Sequence, residues 1–361
     1  MALNSFIANK KFFWKTCAWV SGVVLGIVLV GIILCLSLTP SSSPIKPKLK
    51  HAYNDLVKPE QAGPDCPDCV RRLIDGRLVP PHNSNPYPVA VMIDNHVQAR
   101  PSSGLSRANL VYETEVEGGI TRYLAIFAGD QDIDKVGPVR SARPYFLDWA
   151  QGLSALFVHC GGSPAALARL AAGNTKNLNE FYNSQYFERN QNRTAPHNIF
   201  TSSADLKKYL KKQGLRQGKY ISWDFKSPAS LEKRGEGQII KIPFDKGYQV
   251  EWRYNKESNL YTRYLNNRVH SEGDQDIKAA NIIIHFTSME VVDDKLRLRL
   301  DTTGEGNGFI CQDGACSPIE WRKTTTASRT KYYHRDQEIK LNPGTTWIEI
   351  LRNSFKNKIK K

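Results

Sequence analysis

The stretch Leu110-Val-Tyr-Glu-Thr-Glu-Val-Glu-Gly-Gly-Ile-Thr-Arg-Tyr-Leu-Ala-Ile-Phe127 decides how the folded part of this chain is read. Residues 110–117 alternate apolar and acidic side chains, the period-2 pattern of a half-exposed strand. Gly118-Gly119 supplies a turn, and residues 120–127 read as a second strand returning from it. Upstream, Pro88-Val-Ala-Val-Met-Ile93 is a short apolar run closed by Asp94, as in a strand buried on both faces. Downstream, Ser154-Ala-Leu-Phe-Val-His159 reads the same way between helical stretches at Tyr145–Leu153 and Pro164–Ala172. Ser202-x-x-Asp205 has the spacing of a capping box and opens a lysine-rich helix through Lys212, ended by Gly214.

Beyond about residue 236 the pattern changes. Segments 238–242, 248–254, 260–265, 282–287, 295–300, 308–311, 317–322 and 346–351 are short, rich in β-branched and aromatic residues, and separated by Asn, Gly and Asp turns. No helical period of any length occurs among them. The expected fold class is α+β: an α/β domain over 75–232 followed by a smaller, mostly-β domain over 236–355, built as a sandwich or open barrel.

The N-terminus has another character. No charged side chain lies between Lys15 and Lys46, and residues 19–38 are almost wholly aliphatic, long enough at 1.5 Å per residue to cross a bilayer core. Lys10, Lys11 and Lys15 precede this run, so the positive-inside rule keeps them in the cytoplasm and places residue 40 onward outside. The expectation is a cytoplasmic N-terminus and transmembrane signal anchor over 1–38, a Pro/Ser/Lys-rich stalk over 39–74, and a single-pass cell-membrane protein with extracytoplasmic domains. A cleaved signal peptide is the rival, but Leu36-Ser37-Leu38-Thr39 is a poor cleavage site. Lipidation at Cys35 is a third reading, opposed by Leu34 where a small residue belongs.

Across 361 residues the formal charge is +15, hydrophobic residues make up 40% and charged residues 24%. These values exclude wholesale disorder, a collagenous repeat and a disulfide miniprotein, and a single apolar span excludes a multi-span transporter. The basic excess is diffuse, on residues 207–216 and 356–361. Outside the cytoplasm its natural partners are anionic lipids or wall polymers, and no nucleic acid is expected. Cys66-x-x-Cys69 and Cys311-x4-Cys316 read as two local disulfides, with a four-cysteine zinc site as the alternative and Cys160 as a buried thiol.

The densest polar constellation lies between Asp94 and Arg143. Asp94-Asn95-His96 follows the first buried strand, at a strand end where α/β sheets place ligands, and Arg100 follows. Glu113, Glu115 and Glu117 share one face of the next strand by period, and Arg122 lies on the returning strand. Gly137-Pro-Val-Arg-Ser-Ala-Arg-Pro144 puts Arg140 and Arg143 in a loop leading into a helix, a combination suited to phosphate or carboxylate. Gly161-Gly162-Ser163-Pro164 is a second strand-to-helix turn of that kind. The candidate ligand-binding set is therefore Arg122, Arg140, Arg143, Asp94, Glu113, Glu117, His96 and Arg100. The acidic trio could instead hold a divalent cation or supply a general base, and cross-strand Glu–Arg pairs would use the same residues with no ligand at all. His96, His159 and His197 read individually as hydrogen-bonded structural histidines. No Walker loop, nucleophile elbow, Rossmann glycine fingerprint or H-E-x-x-H motif is present.

Residues 88–95, Ala99-Arg-Pro-Ser-Ser-Gly-Leu105, Val111-Tyr-Glu113, Glu117-Gly-Gly-Ile-Thr-Arg122, residues 137–144 and Ala195-Pro-His-Asn198 together resemble the YerB-like lipoprotein family. Asp301-Thr-Thr-Gly-Glu-Gly306 and Pro343-Gly-Thr-Thr-Trp347 resemble that family's second domain, so the likeness spans about residues 75–352. The resemblance implies a bacterial envelope protein of two domains and brings no established activity. The first functional expectation is a receptor for an anionic ligand (a wall polymer, glycan or lipid phosphate) in the arginine cleft. The alternatives are a phosphotransferase similar to the LytR–CpsA–Psr enzymes, acting on polyprenyl pyrophosphate-linked polymers, and a non-catalytic scaffold that docks another envelope protein.

Overall fold

The computed structural model describes residues 66–244 and 247–359. The proposed membrane anchor and most of the stalk lie outside these residues. Among the described residues no helix is long and apolar enough to cross a membrane.

Strands dominate. In the first half they are β1 (Pro88–Asp94), β2 (Leu110–Glu115), β3 (Thr121–Ala128), β4 (Leu156–His159) and β5 (Asn177–Asn179). The helices are α1 (Pro144–Gln151), α2 (Pro164–Ala171) and α3 (Ser203–Lys212). In the second half β6 (Ile239–Ile242), β7 (Val250–Asn255) and β8 (Leu260–Leu265) form a small antiparallel sheet. They are followed by β9 (Asn281–Thr287), β10 (Gly304–Gln312), β11 (Ala315–Lys323), β12 (Lys331–His334), β13 (Gln337–Glu338) and β14 (Thr346–Arg352). One 11-stranded sheet runs in the order β13-β12-β11-β10-β9-β14-β2-β3-β1-β4-β5. Within it β9/β14, β14/β2, β1/β4 and β4/β5 are parallel.

The fold is thus α+β, in two domains that share a sheet. This corrects the expectation of a separate sandwich or barrel: β14 pairs with β2 in register Glu349 to Glu113, and the sheet continues through both halves. A strand buried on both faces carries no mark of which neighbour it will choose, so this pairing was invisible in the pattern. The folded body also begins before residue 75. Val70–Arg71 pairs with Leu78–Val79, Ile74 is buried in the core, and Asp75 receives bonds from Arg72 and Asn109.

Alternation along each central strand builds two cores, one on each face of the sheet. Val89, Val91 and Ile93 of β1 face the small sheet and α3, whereas Ala90 and Met92 face α1 and α2. Proline at N1 starts α1, and Phe146, Leu147, Trp149 and Ala150 bury its inner side. Trp149 stacks on Tyr112 at 5.1 Å. The predicted cap of α3 forms as read: Ser202 Oγ accepts from the Asp205 amide and donates to the Asp205 carboxylate.

Candidate functional site

The parallel strands β1, β4 and β5 end side by side at Asp94, His159 and Asn179. Pairing between β1 and β4 stops at Val91. From there the 138–142 loop takes over the ladder: Arg140 N–H donates to Met92 O, Asp94 N–H to Pro138 O, and Cys160 N–H to Arg140 O. The same loop is held from its other side by Val139 N–H to Ile199 O, two residues after His197. The loop hydrogen bonds and the β1–β3 register therefore bring Asp94, Arg122, Arg140 and His197 to one strand end.

Asp94 is buried and fully engaged. Its Oδ1 accepts from the His96 amide, and its Oδ2 lies 2.7 Å from His197 Nδ1 and 3.0 Å from Arg140 Nε. Burial alone would raise this carboxyl, but the His96 amide, Arg122, Arg140 and His197 hold it below the usual range. The ring of His96 stacks on that of His197, centroids 4.8 Å apart and planes within 10°.

Three guanidiniums crowd here. Arg122 stands opposite Asp94 in the β1–β3 register and is 5% exposed. One of its nitrogens donates to Ser141 O, while its Nε has no hydrogen-bond partner among the described residues. Burial and the neighbouring charge of Arg143 lower its pKa to about 10, with Asp94 opposing. Arg140 reaches Asp94 without hydrogen-bond alignment at Nε, so the contact is Coulombic and the rest of its fork is unused among the described residues. Arg143 is bidentate to Glu117, at 2.5 and 2.7 Å, with a third bond to Ala142 O. Three cations face two carboxylates, Asp94 and Glu117, and one positive charge is left uncompensated.

The other candidates separate. Glu113 does not face Asp94 and Arg122. It is completely buried on the opposite side of β2's end, accepting from Thr121, Tyr248 and Arg263 at 2.8, 2.6 and 2.7 Å. Glu115 pairs with Arg352, so the acidic trio is split among three arginines and cannot act as one ligand set. Among the described residues no group of three or more His, Cys, Asp or Glu is placed to hold a metal ion. Arg100 bonds Asn95 through Nε and an Nη and lies over the Tyr248 ring at 4.6 Å, bracing the Asp94–His96 turn.

His159 is a buried structural group, tied to Gly161 O and Asn177 Oδ1. Cys160 is half-buried, its thiol pushed up to about 12 by burial and by Glu180. Both predicted disulfides form, Cys66–Cys69 and Cys311–Cys316. Beyond β5, Phe181 and Tyr182 are 65% and 83% exposed, and the Phe181 ring lies against Gly161. The buried partners Arg263, Tyr248, Glu349 and His270 carried no local signal, since each belongs to a strand or hairpin without a motif.

The family models described as "Protein of unknown function (DUF3048) N-terminal domain" and "Protein of unknown function (DUF3048) C-terminal domain" match residues 76–216 and 240–348. The chain is 29% identical over 298 residues to "Putative lipoprotein YerB" of Bacillus subtilis (strain 168), covering 81% of this chain and 89% of that protein. It is similar to the crystal structure of the YerB protein from Bacillus subtilis, with a TM-score of 0.70 and 30% identity over 78% of this chain and 96% of the other.

Proposed function

Because this chain belongs to the DUF3048 family, the YerB-like proteins, we propose that it is a membrane-tethered envelope protein whose Arg122–Arg140 crevice binds an anionic ligand. The observation that carries this reading is the uncompensated guanidinium charge around the buried Arg122, whose Nε lacks a hydrogen-bond partner among the described residues. A buried cation crowded by two others is unfavourable in isolation, and an anion relieves it. One surplus positive charge suits a monoanion, such as a phosphodiester in a wall polymer, glycan or lipid. Exposed Phe181 and Tyr182 offer apolar faces beside the strand ends for the remainder of such a ligand.

Envelope location rests on the curated relative, whose name describes a lipoprotein, and on the lysine-flanked apolar run before residue 39. A reporter fused after Lys361 should be active only outside the cytoplasm, and cytoplasmic activity would reject the orientation. Receptor function is tested by titrating the full-length protein in detergent with dimethyl phosphate. Charge-assisted arginine contacts contribute about 1.5–3 kcal/mol each, so Arg140→Ala should weaken binding roughly ten- to a hundredfold. Arg140→Lys should restore little of it, because an ammonium lacks the planar fork. Unchanged affinity in Arg140→Ala would end the receptor reading.

A further inference from the structure

We infer that this crevice is catalytic as well as receptive: His197 acts as general base for hydrolysis of a phosphodiester held by Arg122 and Arg140, with His96 donating to a non-bridging oxygen. The inference rests on the anion-binding reading and adds a reaction to it. Its basis is how the two stacked imidazoles are held. His197 turns Nδ1 to Asp94 Oδ2 at 2.7 Å, and a carboxylate can only accept, so that nitrogen carries a proton. In the neutral ring Nε2 is then the free base, and it makes no hydrogen bond among the described residues. His96 is held the opposite way. Its Nδ1 accepts from the Gln98 amide at 3.2 Å, which puts the neutral ring's proton on Nε2. Two rings 4.8 Å apart thus present one acceptor and one donor beside a surplus guanidinium charge. Asp94 links the parts, since the same Oδ2 meets both His197 and Arg140. The cap on the Gln98 amide fixes the His96 tautomer and Asp94 fixes that of His197, so the two rings are set in opposed tautomers next to an unfilled arginine fork.

The step balances with water as the only co-reactant. Water gives a proton to His197 Nε2 while its oxygen bonds to phosphorus. The bond from phosphorus to the departing oxygen breaks, and that oxygen takes a proton from bulk water. His197 then releases its proton to solvent. The products are a phosphomonoester and an alcohol. Asp94 is a positioning residue that holds the His197 tautomer and steadies the imidazolium as it forms.

The full-length protein in detergent is assayed with bis(p-nitrophenyl) phosphate for turnover and with dimethyl phosphate for binding. Wild type should release p-nitrophenolate above the buffer rate. Positioned general bases contribute typically 10²–10⁴-fold, so His197→Gln should lose at least about a hundredfold while dimethyl phosphate affinity stays within a few-fold. His96→Gln should lose less, and Asp94→Asn should move the His197 Nδ1 proton resonance as well as lower the rate. If wild type binds dimethyl phosphate but shows no turnover, the catalytic inference falls and the receptor reading stands. If it neither binds nor turns over, both fall. Full turnover in folded His197→Gln would equally overturn the assignment, and the wild-type assay decides the question even if a variant fails to fold.

Discussion

Glu113 of β2 and Glu349 of β14 stand directly opposite one another on adjacent parallel strands, both completely buried, with a single guanidinium, Arg263 of β8, between the sheets to answer them. Arg263 chooses Glu113, at 2.7 Å, and its other Nη meets His270 Nδ1 at 2.6 Å. Among the described residues Glu349 accepts only from the Trp252 indole N–H, and its second oxygen accepts from no donor. Burial and the charge of Glu113 therefore raise Glu349 well above the ordinary glutamate value, against the opposing pull of Arg263. Trp347, Trp252, Tyr123 and Tyr248 surround the guanidinium, with the Trp347 ring nearest at 4.9 Å. One guanidinium and two facing carboxyl groups, of which Glu349 is raised, thus join the small sheet to the strand pair where the two halves of the chain meet.

A neutral Glu349 makes a pH prediction. An acid whose folded-state pKa is raised stabilises the fold fully below its unfolded value of about 4.3. That stability is lost as pH rises toward the raised folded value, because the native state then holds the extra proton. Glu349→Gln keeps the shape and removes the titration. Urea melts across a pH series should show the variant gaining on wild type as pH climbs above about 4.5. A constant difference would mean that Glu349 is not held protonated.

Arg263 should behave differently. Arg263→Met leaves Glu113 buried without a counter-charge, and breaking such a pair costs about 3–5 kcal/mol. Adding Glu113→Gln removes the stranded charge and should recover a large part of that loss. Chemical denaturation of the two variants checks this. If the double variant is no more stable than Arg263→Met, packing of the guanidinium against the ring cluster dominates instead.

Why this network escaped sequence reading follows from its parts. The strands themselves were legible, because Ile282, Ile284 and Phe286 alternate with Ile283 and His285 in a run too short and β-branched for a helix. The α3 start was legible because Ser202 and Asp205 cap locally. Asp94, His96 and Arg140 are legible as candidates because each lies at a strand end or in a loop with its own local signal, and Arg122 because it opens the strand after the Gly118-Gly119 turn; their convergence comes from the β1–β3 register and the 138–142 loop bonds. Arg263 was not found, since its partner lies in another sheet and no spacing rule connects them. Glu113 sits with Tyr248 and Arg263 instead of Arg122 for the same reason: period 2 gives its face but not what covers that face. His197 reaches Asp94 because the Val139–Ile199 and Val136–Thr201 hydrogen bonds and the Arg193 bonds to Ala99 O and Pro101 O hold its segment there, and a lone histidine carries no sign of that.

Cys311 and Cys316 face each other across the β10–β11 hairpin, and Cys311 is fully buried. Closing so short a loop removes unfolded-state entropy worth about 2 kcal/mol. Replacing both with alanine should lower stability by about that amount without altering dimethyl phosphate affinity. Peptide mapping without reduction should recover the two linked in wild type, and recovery of free thiols would reject the bridge.

Arg143 and Arg140 lie in one loop, three residues apart, and should fail in opposite ways. Arg143 is saturated by Glu117 and Ala142 O, with its side chain 13% exposed, so it has little left for a ligand. Burial would raise Glu117, yet the Arg143 hydrogen bonds and charge hold it below the usual glutamate value. A depressed acid stabilises the fold above its unfolded pKa, and that contribution disappears as pH falls through the folded one. Arg143→Ala should therefore lower stability at neutral pH by about 1–3 kcal/mol, flatten the acid limb of the stability curve, and leave affinity within a few-fold. The loss should be tempered, because removing Arg143 also relieves its repulsion of Arg122. Arg140→Ala should do the reverse, weakening dimethyl phosphate binding with a small change in melting temperature, since its one ion pair is poorly aligned. Adding Glu117→Gln to Arg143→Ala should recover part of the stability and none of any affinity change. If instead Arg143→Ala abolishes binding while the fold is intact, the Arg143–Glu117 pair opens to the ligand and the receptor is built from three arginines.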